Sequence, residues 1–515
     1  MRLAIDIGGT FTDIVLENEH QLLTKKVLTS IAQPELAVIE GISDLLNENN
    51  INSSEIKMII HGTTLATNAI IERKGAKTCF ITTEGFRDVL DIGYESRFDQ
   101  YDILIEKTMS LVPRKHRYVI EERTDINGSQ IKPINTTQFK KLIEKIKSEN
   151  FESIGIGFLH SYANSENENI LKEFIFNNLP GVEVSISSEV CPEIREYERF
   201  TTTVINAYIK PLMSNYLKKL EYELIEKGFN CPLLLMTSGG TLTNITSACN
   251  NPVRLVESGP AGGAILATSI ARDLGLNKVI SFDMGGTTAK ITVIENKKAI
   301  KARELEVDRK ARFKKGSGFP LRIPVIEMVE IGAGGGSIAR VNKLEQIITG
   351  PDSAGSLPGP ACYCNGGTLP TITDADLIIG KINPKNFAGG KIKLSKDLAA
   401  DAITKNISQI VNLDMDTAAL AISEIVDETM SNAARVHTVE QGHETSSRTL
   451  IAFGGAAPLH IARVAEKLKV SSIIIPTNAS VGSAVGFLKA PVGYEVVKSL
   501  RTVSYTHLRA HETLI

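Results

Sequence analysis

Ile5-Asp6-Ile7-Gly8-Gly9-Thr10-Phe11-Thr12-Asp13-Ile14-Val15 recurs in form as Phe282-Asp283-Met284-Gly285-Gly286-Thr287-Thr288-Ala289-Lys290-Ile291-Thr292-Val293. Each copy is an apolar strand, an aspartate, one apolar residue, Gly-Gly-Thr, and a second strand of alternating polarity. Period-two apolar residues on both sides of a glycine pair predict a β-hairpin, not the strand-to-helix turn that opens a dinucleotide fold. Two copies far apart in the chain predict two similarly folded halves facing each other across a cleft. Glycines at such a turn let the backbone approach a ligand and aim N–H groups at phosphate oxygens. Thr10, Thr12, Thr287 and Thr288 add hydroxyl donors. Asp6 and Asp283, one at each strand end, offer the hard carboxylate oxygens that Mg²⁺ prefers, or orient an attacking group. One such turn is as readily an ordinary hairpin; its repetition in like contexts argues for a site.

Outward from the hairpins, short β-rich runs alternate with amphipathic ones. Strands are expected at 3–7, 56–60, 78–82, 153–158, 233–236, 279–282, 450–453 and 472–475, and helices at 34–47, 137–148, 206–227 and 418–436. That alternation predicts an α/β protein with a largely parallel sheet. The stretch 304–331 reads as an insertion or β-rich excursion, and 350–371 as a long functional loop or domain junction. A third glycine cluster, Gly454-Gly455-Ala456-Ala457-Pro458, follows a strand and opens a helix, where a nucleoside can lie flat on backbone. The order hairpin, hairpin, glycine-to-helix turn resembles the phosphate 1, phosphate 2 and adenosine elements of the actin-like, sugar-kinase and Hsp70-type ATPase fold. The resemblance implies a duplicated α/β fold with ATP in the cleft.

More specifically, the chain resembles the A subunit of the hydantoinase/oxoprolinase family, which includes N-methylhydantoinase A, the corresponding half of 5-oxoprolinase and subunits of acetone-type carboxylases. The matching stretches are IDIGGTFTDIV (5–15), HGTTLATNAIIER (61–73), ITTEGFRDVLDIG (81–93), FLHSYAN (158–164), ESGPAGG (257–263), DMGGTTAK (283–290), GAGGGSIA (332–339), PGPACY (358–363), TDADLIIG (373–380) and FGGAAPLH (453–460). The resemblance implies an N-terminal hydantoinase/oxoprolinase domain over 1–195 and a core domain over 196–502. It implies ATP- and Mg²⁺-dependent hydrolysis of a cyclic amide such as 5-oxoproline or a hydantoin, through a phosphorylated lactam, alongside a B-type subunit. An ATP-dependent carboxylase subunit is the alternative, and a nonenzymatic sugar-kinase-like ligand sensor a remote one. The phosphate cradle is expected at Gly8, Gly9, Thr10, Thr12, Gly285, Gly286, Thr287 and Thr288, and the nucleoside at Gly454 and Gly455. Asp6 and Asp283 are the expected catalytic and Mg²⁺-holding groups. Lys290 stands where family members often carry Asp, so it is expected to contact phosphate as a point charge. Cys364 and Asn365 stand where glycine and a basic residue are commoner, a departure in the substrate pocket and not in the ATP site. Residues 503–515 resemble nothing in the family and look like adaptor read-through, so a C-terminal truncation is expected.

Other motifs carry weaker signals. His61 ends an apolar strand before Gly62-Thr63-Thr64, which caps a helix; a helix N-terminus at a cleft attracts anions or a developing oxyanion, which makes His61 a further catalytic candidate. Arg87, Asp88, Glu95 and Arg97 read as a solvated face or as substrate contacts. Gly332-Ala333-Gly334-Gly335-Gly336 suits close ligand approach or a hinge. Cys362, Asp374 and His460 have no recognisable zinc spacing.

Composition narrows the field. The 515 residues carry 57 Lys+Arg against 59 Asp+Glu, so no basic field favours nucleic acid or an anionic membrane. Aromatic residues make up only 5% with no Trp, too few for base-stacking platforms. No apolar run has signal-peptide or membrane-spanning length, and six scattered cysteines form no disulfide framework, so a reducing cytoplasm is expected.

Overall fold

The computed structural model describes residues 1–9, 11–29, 33–94, 97–311, 314–390 and 392–499. Its first hairpin joins strands Arg2–Ile7 and Phe11–Glu17, and its second joins Lys278–Met284 and Ala289–Glu295. Around each, a sheet grows in the same way. In the first, the order is Leu22–Leu28, Phe11–Glu17, Arg2–Ile7, Met58–Thr63, Leu233–Met236, then Leu242–Asn244. In the second it is Lys298–Ala299, Ala289–Glu295, Lys278–Met284, Thr449–Phe453, Ser472–Ile474, with Met328–Ile331 also pairing onto Ala289–Glu295. In both, the first three strands of each half pair antiparallel and the next two join in parallel. The duplicated actin-like architecture expected from the hairpins is therefore the fold.

Matches to the expected elements are close where one face of an element is buried. The helix expected at 206–227 begins earlier, at Glu196, and runs to Glu226 through Pro211. Its first turns are buried on every side, so they carry no amphipathic stripe. Phe200 stacks on Phe80 of a separate four-stranded parallel sheet, ordered Glu183–Ile186, Ser153–Gly157, Thr78–Thr83, Arg117–Ile120. Farther along, Ile209, Met213, Leu217 and Leu220 enter the core of the first large sheet. Thr202 and Thr203 donate to the carbonyls one turn back, and Arg199 donates to Glu193 O and Phe158 O, while Thr201 Oγ1 and Arg199 Nε are buried without a hydrogen-bond partner. The stretch 304–331 is β-rich, with short strands Leu305–Val307, Phe319–Leu321 and Val325–Ile326 before Met328–Ile331.

Helix Ser258–Asp273 and the short helix Gly482–Phe487 lie between the two large sheets and share one apolar cluster with both, from Ala4 and Val15 to Ile451 and Phe453. The helices cross where Gly262 meets Gly486, and a Cβ on Gly486 would drive into the Gly262 carbonyl. Only glycine permits that approach. The crossing brings the ends of the two hairpins to the same helix. Among the described residues no helix is long and apolar enough to cross a membrane, and all six cysteines are unpaired.

Candidate functional site

Each turn is closed by one backbone bond: Gly8 N–H donates to Phe11 O and Gly285 N–H to Thr288 O, both at 3.0 Å. Gly9 and Gly286 are the exposed tips. A Cβ built on Gly9, Gly285 or Gly455 would meet nothing within 4 Å, so these backbones border open space. Thr10 lies outside the described residues. Thr12 is buried, and its hydroxyl is 3.1 Å from that of Thr29, which donates to Gly8 O. It braces the turn from behind. The Thr288 hydroxyl lies 3.2 Å from Lys290 Nζ.

Asp6 and Asp283 meet across helix Ser258–Asp273. A Cβ on Gly259 would sit 3.1 Å from Asp6 Oδ1, and one on Gly263 would sit 3.2 Å from Asp283 Oδ2. Positions four apart on a helix are neighbours on one face, so both carboxylates lie against the same face of this helix. Asp6 Oδ1 is buried without a hydrogen-bond partner. Burial, reinforced by the charges of Asp13 and Asp283, pushes Asp6 up to about 8. Burial also raises Asp13 to about 6, against the pull of its ion pair with Lys26. Asp283 is raised by burial, opposed by Lys290 and by a 3.0 Å bond from Ser483. Gly454, at φ +89°, closes the pocket from the third cluster: a Cβ there would lie 2.6 Å from Asp283 Oδ1.

These carboxylates are crowded and short of partners, which is what a cation site lacks until it is filled. Among the described residues no group of three His, Cys, Asp or Glu side chains is placed to hold a metal ion. The arrangement fits Mg²⁺ in its usual form, held by one or two carboxylates with water and substrate phosphate completing the shell. The open turn tips are matched to phosphate in the same way.

His61 does not join this group. It pairs in register with Ile5 while Asp6 pairs with Gly62, so His61 and Asp6 point to opposite faces of the sheet. Its ring is fully buried. Nδ1 lies 3.3 Å from Ile5 O, which can only accept, so Nδ1 carries the proton and Nε2 accepts from Tyr216 O–H at 2.9 Å. Burial lowers His61 to about 4 and keeps the ring neutral.

The glycine run 332–336 approaches the second turn itself. Gly335 N–H donates to Gly285 O (3.0 Å) and Gly336 N–H to Gly286 O (2.7 Å), and a Cβ on Gly334 would lie 2.5–2.6 Å from backbone atoms of Gly286 and Thr287. Asp374 accepts from the N–H groups of Ala361, Cys362 and Thr371, which organises the PGPACY loop and leaves Cys362 buried as a thiol. His460 is elsewhere, 2.8 Å from Asp427 and 3.0 Å from Asp376, with Lys381 beside both carboxylates. Cys362, Asp374 and His460 thus form no metal site. Asp88 pairs with Arg114 and Arg87 on the surface, and Arg97 bonds the Asp102 carbonyl; Glu95 lies outside the described residues. Sequence reading gave no role to Gly259, Gly263 or Ser483. The small residues at one-turn spacing in Ser258-Gly259-Pro260-Ala261-Gly262-Gly263 were the available signal.

Comparison with known proteins agrees with the fold. Residues 2–179 match the pattern of the hydantoinase/oxoprolinase N-terminal region and 199–496 that of hydantoinase/oxoprolinase. The first large sheet draws strands from both segments. An uncharacterised protein of Methanocaldococcus jannaschii is 43% identical over 97% of this chain and 74% of its own length. The caprolactamase subunit alpha of Pseudomonas jessenii is 32% identical over 97% of this chain and 71% of its own. The crystal structure of the ATP-dependent caprolactamase from the same organism superposes with a TM-score of 0.82 at 31% identity, over 96% of this chain and 71% of that one. A nucleotide-free acetone carboxylase structure superposes with a TM-score of 0.81 at 26% identity, over 94% and 69%.

Proposed function

This chain belongs to the hydantoinase/oxoprolinase family, and on that premise we propose that it hydrolyses a cyclic amide in an ATP-dependent reaction, with the nucleotide phosphates between the two glycine turns. One observation carries the reading: two turns of the same build, each preceded by a half-buried aspartate, meet on one helix, where Asp6 keeps a buried, unpartnered oxygen. The caprolactamase relative supports a lactam, and the family resemblance adds 5-oxoproline or a hydantoin.

A cyclic amide's resonance makes its carbonyl a poor electrophile. Its oxygen would attack the γ-phosphorus as the bond to the bridging oxygen breaks and ADP leaves. Water then adds to the carbon, and the ring C–N bond breaks with a proton passing to nitrogen. A second water cleaves the resulting acyl phosphate to carboxylate and phosphate. Positioning and charge stabilisation are the protein's work in phosphoryl transfer. Gly8, Gly9, Gly285 and Gly286 would cradle the phosphates, with the hydroxyls of Thr10, Thr287 and Thr288 beside them and Thr12 bracing the turn. Gly454 and Gly455 would lie under the nucleoside. Asp6 and Asp283 would orient the reacting groups and hold Mg²⁺, which when bound neutralises charge on the transferring phosphoryl. His61, on the far face of its sheet, supports the fold of Ile5 and Asp6 and is left out of the reacting set.

Relatives named as enzyme subunits support a companion subunit here, which we assign to the B type; covering the cleft would keep water from the activated intermediate. The test is incubation of the protein, with and without that companion, with ATP and caprolactam, 5-oxoproline or hydantoin in turn. ADP and ring-opened product should appear one to one when the companion is present. ADP formed with bicarbonate and a ketone, and no ring-opened product from any lactam, would move the assignment to an ATP-dependent carboxylase. That second reading is favoured by the acetone carboxylase superposition.

A further inference from the structure

The two hairpins are built alike but charged differently. In the first, the residue directly across the ladder from Asp6 is Asp13; in the second, the residue across from Asp283 is Lys290. Cross-strand partners share a face with Cβ atoms about 5 Å apart, so Asp13 and Lys290 both stand beside the carboxylate of their own hairpin. One turn therefore presents two carboxylates and the other a carboxylate and an ammonium.

Two lysines act on both aspartates, Lys26 and Lys290. Lys26 is committed: it holds Asp13 in a close ion pair and lies over the Phe11 ring. Lys290 is held loosely. Its nearest partners are the Thr288 hydroxyl at 3.2 Å, Glu330 at 3.4 Å and Glu257 at 4.0 Å, against about 2.8 Å for a close charge-assisted bond. Its side chain is only 17% exposed, and its ammonium sits beside the second turn, linked to Thr288, the residue whose carbonyl closes that turn. A largely covered cation with carboxylates at loose range, next to a glycine turn that borders open space, is arranged to exchange them for a stronger anion.

We propose that Lys290 is the specificity residue of the cleft: it binds the terminal phosphoryl group of the nucleotide, leaving Glu330 and Glu257, and so makes the site prefer triphosphate over diphosphate. Asp6 and Asp283 then serve the cation and Lys290 the anion, and the position across the ladder, Asp13 in one half and Lys290 in the other, is where the two halves of the fold differ. The inference rests on the ATP-cleft reading above and deepens it.

Calorimetric titration tests it, using a non-hydrolysable ATP analogue, ADP, and ADP with inorganic phosphate, each with Mg²⁺. Lys290→Met should weaken the analogue by about 10- to 100-fold, the range for losing one charge-assisted hydrogen bond, and ADP by no more than about twofold. Retained ADP binding also reports that the variant is folded. Lys290→Arg should keep most of the preference. Glu330→Gln removes a competitor for the ammonium and should tighten the analogue severalfold, an effect that vanishes when combined with Lys290→Met. Equal weakening of analogue and ADP, or no change in either, would overturn the role of Lys290 while leaving the ATP cleft standing. Wild-type protein that binds neither nucleotide would overturn both. Wild-type gain from ADP with phosphate, lost in Lys290→Met, would support the same phosphoryl subsite.

Discussion

Replacing Asp6 by Asn should make the ligand-free protein more stable and the enzyme nearly inactive. In the folded protein Asp6 is raised from 3.8 to about 8, first by burial and then by Asp13 and Asp283. The unfolded chain therefore gives up this proton about four pH units earlier than the folded one. Between those limits the folded state binds more protons, so the contribution of Asp6 to stability is whole below about pH 4 and is lost progressively as pH climbs through about 8. Each unit is worth roughly 1.4 kcal/mol, which sets a ceiling on the order of 5 kcal/mol at pH 8 and above. Part of the slope passes through Asp13 and Asp283, which feel the same charge. Asn cannot ionise, so the gap in unfolding free energy between Asp6→Asn and wild type should widen steadily from pH 5 to pH 8. A constant offset from exchanging the hydroxyl for an amide does not alter that slope. Urea denaturation at unit pH steps measures it, and ADP release measures turnover, expected to fall by on the order of 10²-fold. Mg²⁺ with nucleotide should stabilise wild type at pH 8 far more than the variant. A gap that stays flat across this range would show that Asp6 is not a strained carboxylate, and a variant with full turnover would show that it has no part in the reaction.

Four further substitutions separate site from scaffold. Gly9→Val projects into open space, so its melting temperature should match wild type while nucleotide affinity collapses; Gly334→Ala instead meets the backbone of Gly286 and Thr287 and should cost about 1–3 kcal/mol as well. His61→Gln should lose about 1–3 kcal/mol in denaturant titration, because the Tyr216 hydroxyl and the Ile5 carbonyl lose a well-fitted partner, while kcat stays within a few-fold; a hundredfold fall in kcat with normal stability would return His61 to the reacting set. His460 is raised to about 9, its bonds and charge attraction to Asp376 and Asp427 exceeding the opposing cost of burial, so its contribution is full below about pH 6.5 and lost as pH rises through 9; His460→Gln should flatten that part of the stability profile relative to wild type.

The sequence alone carried whatever is encoded in a few neighbouring residues. The Ile5–Val15 pattern and its repeat announced two hairpins because period-two burial and a glycine turn are local, and the same locality placed most strands and one-faced helices. The start of helix Glu196–Glu226 escaped because residues 198–205 are all buried, and a residue surrounded by core leaves no stripe to read. The site was legible as a set of turns but not as an arrangement. That Asp6 and Asp283 face Gly259 and Gly263 on one helix depends on a crossing of glycines far apart in the chain. His61 and Asp6 differ by a single step of β register, which sends one side chain to the core and the other to the cleft. Register also sets Asp13 and Lys290 at equivalent places with opposite charge. Such facts arise from long-range pairing and packing, whose energies depend on which surfaces meet, and only the folded chain decides that.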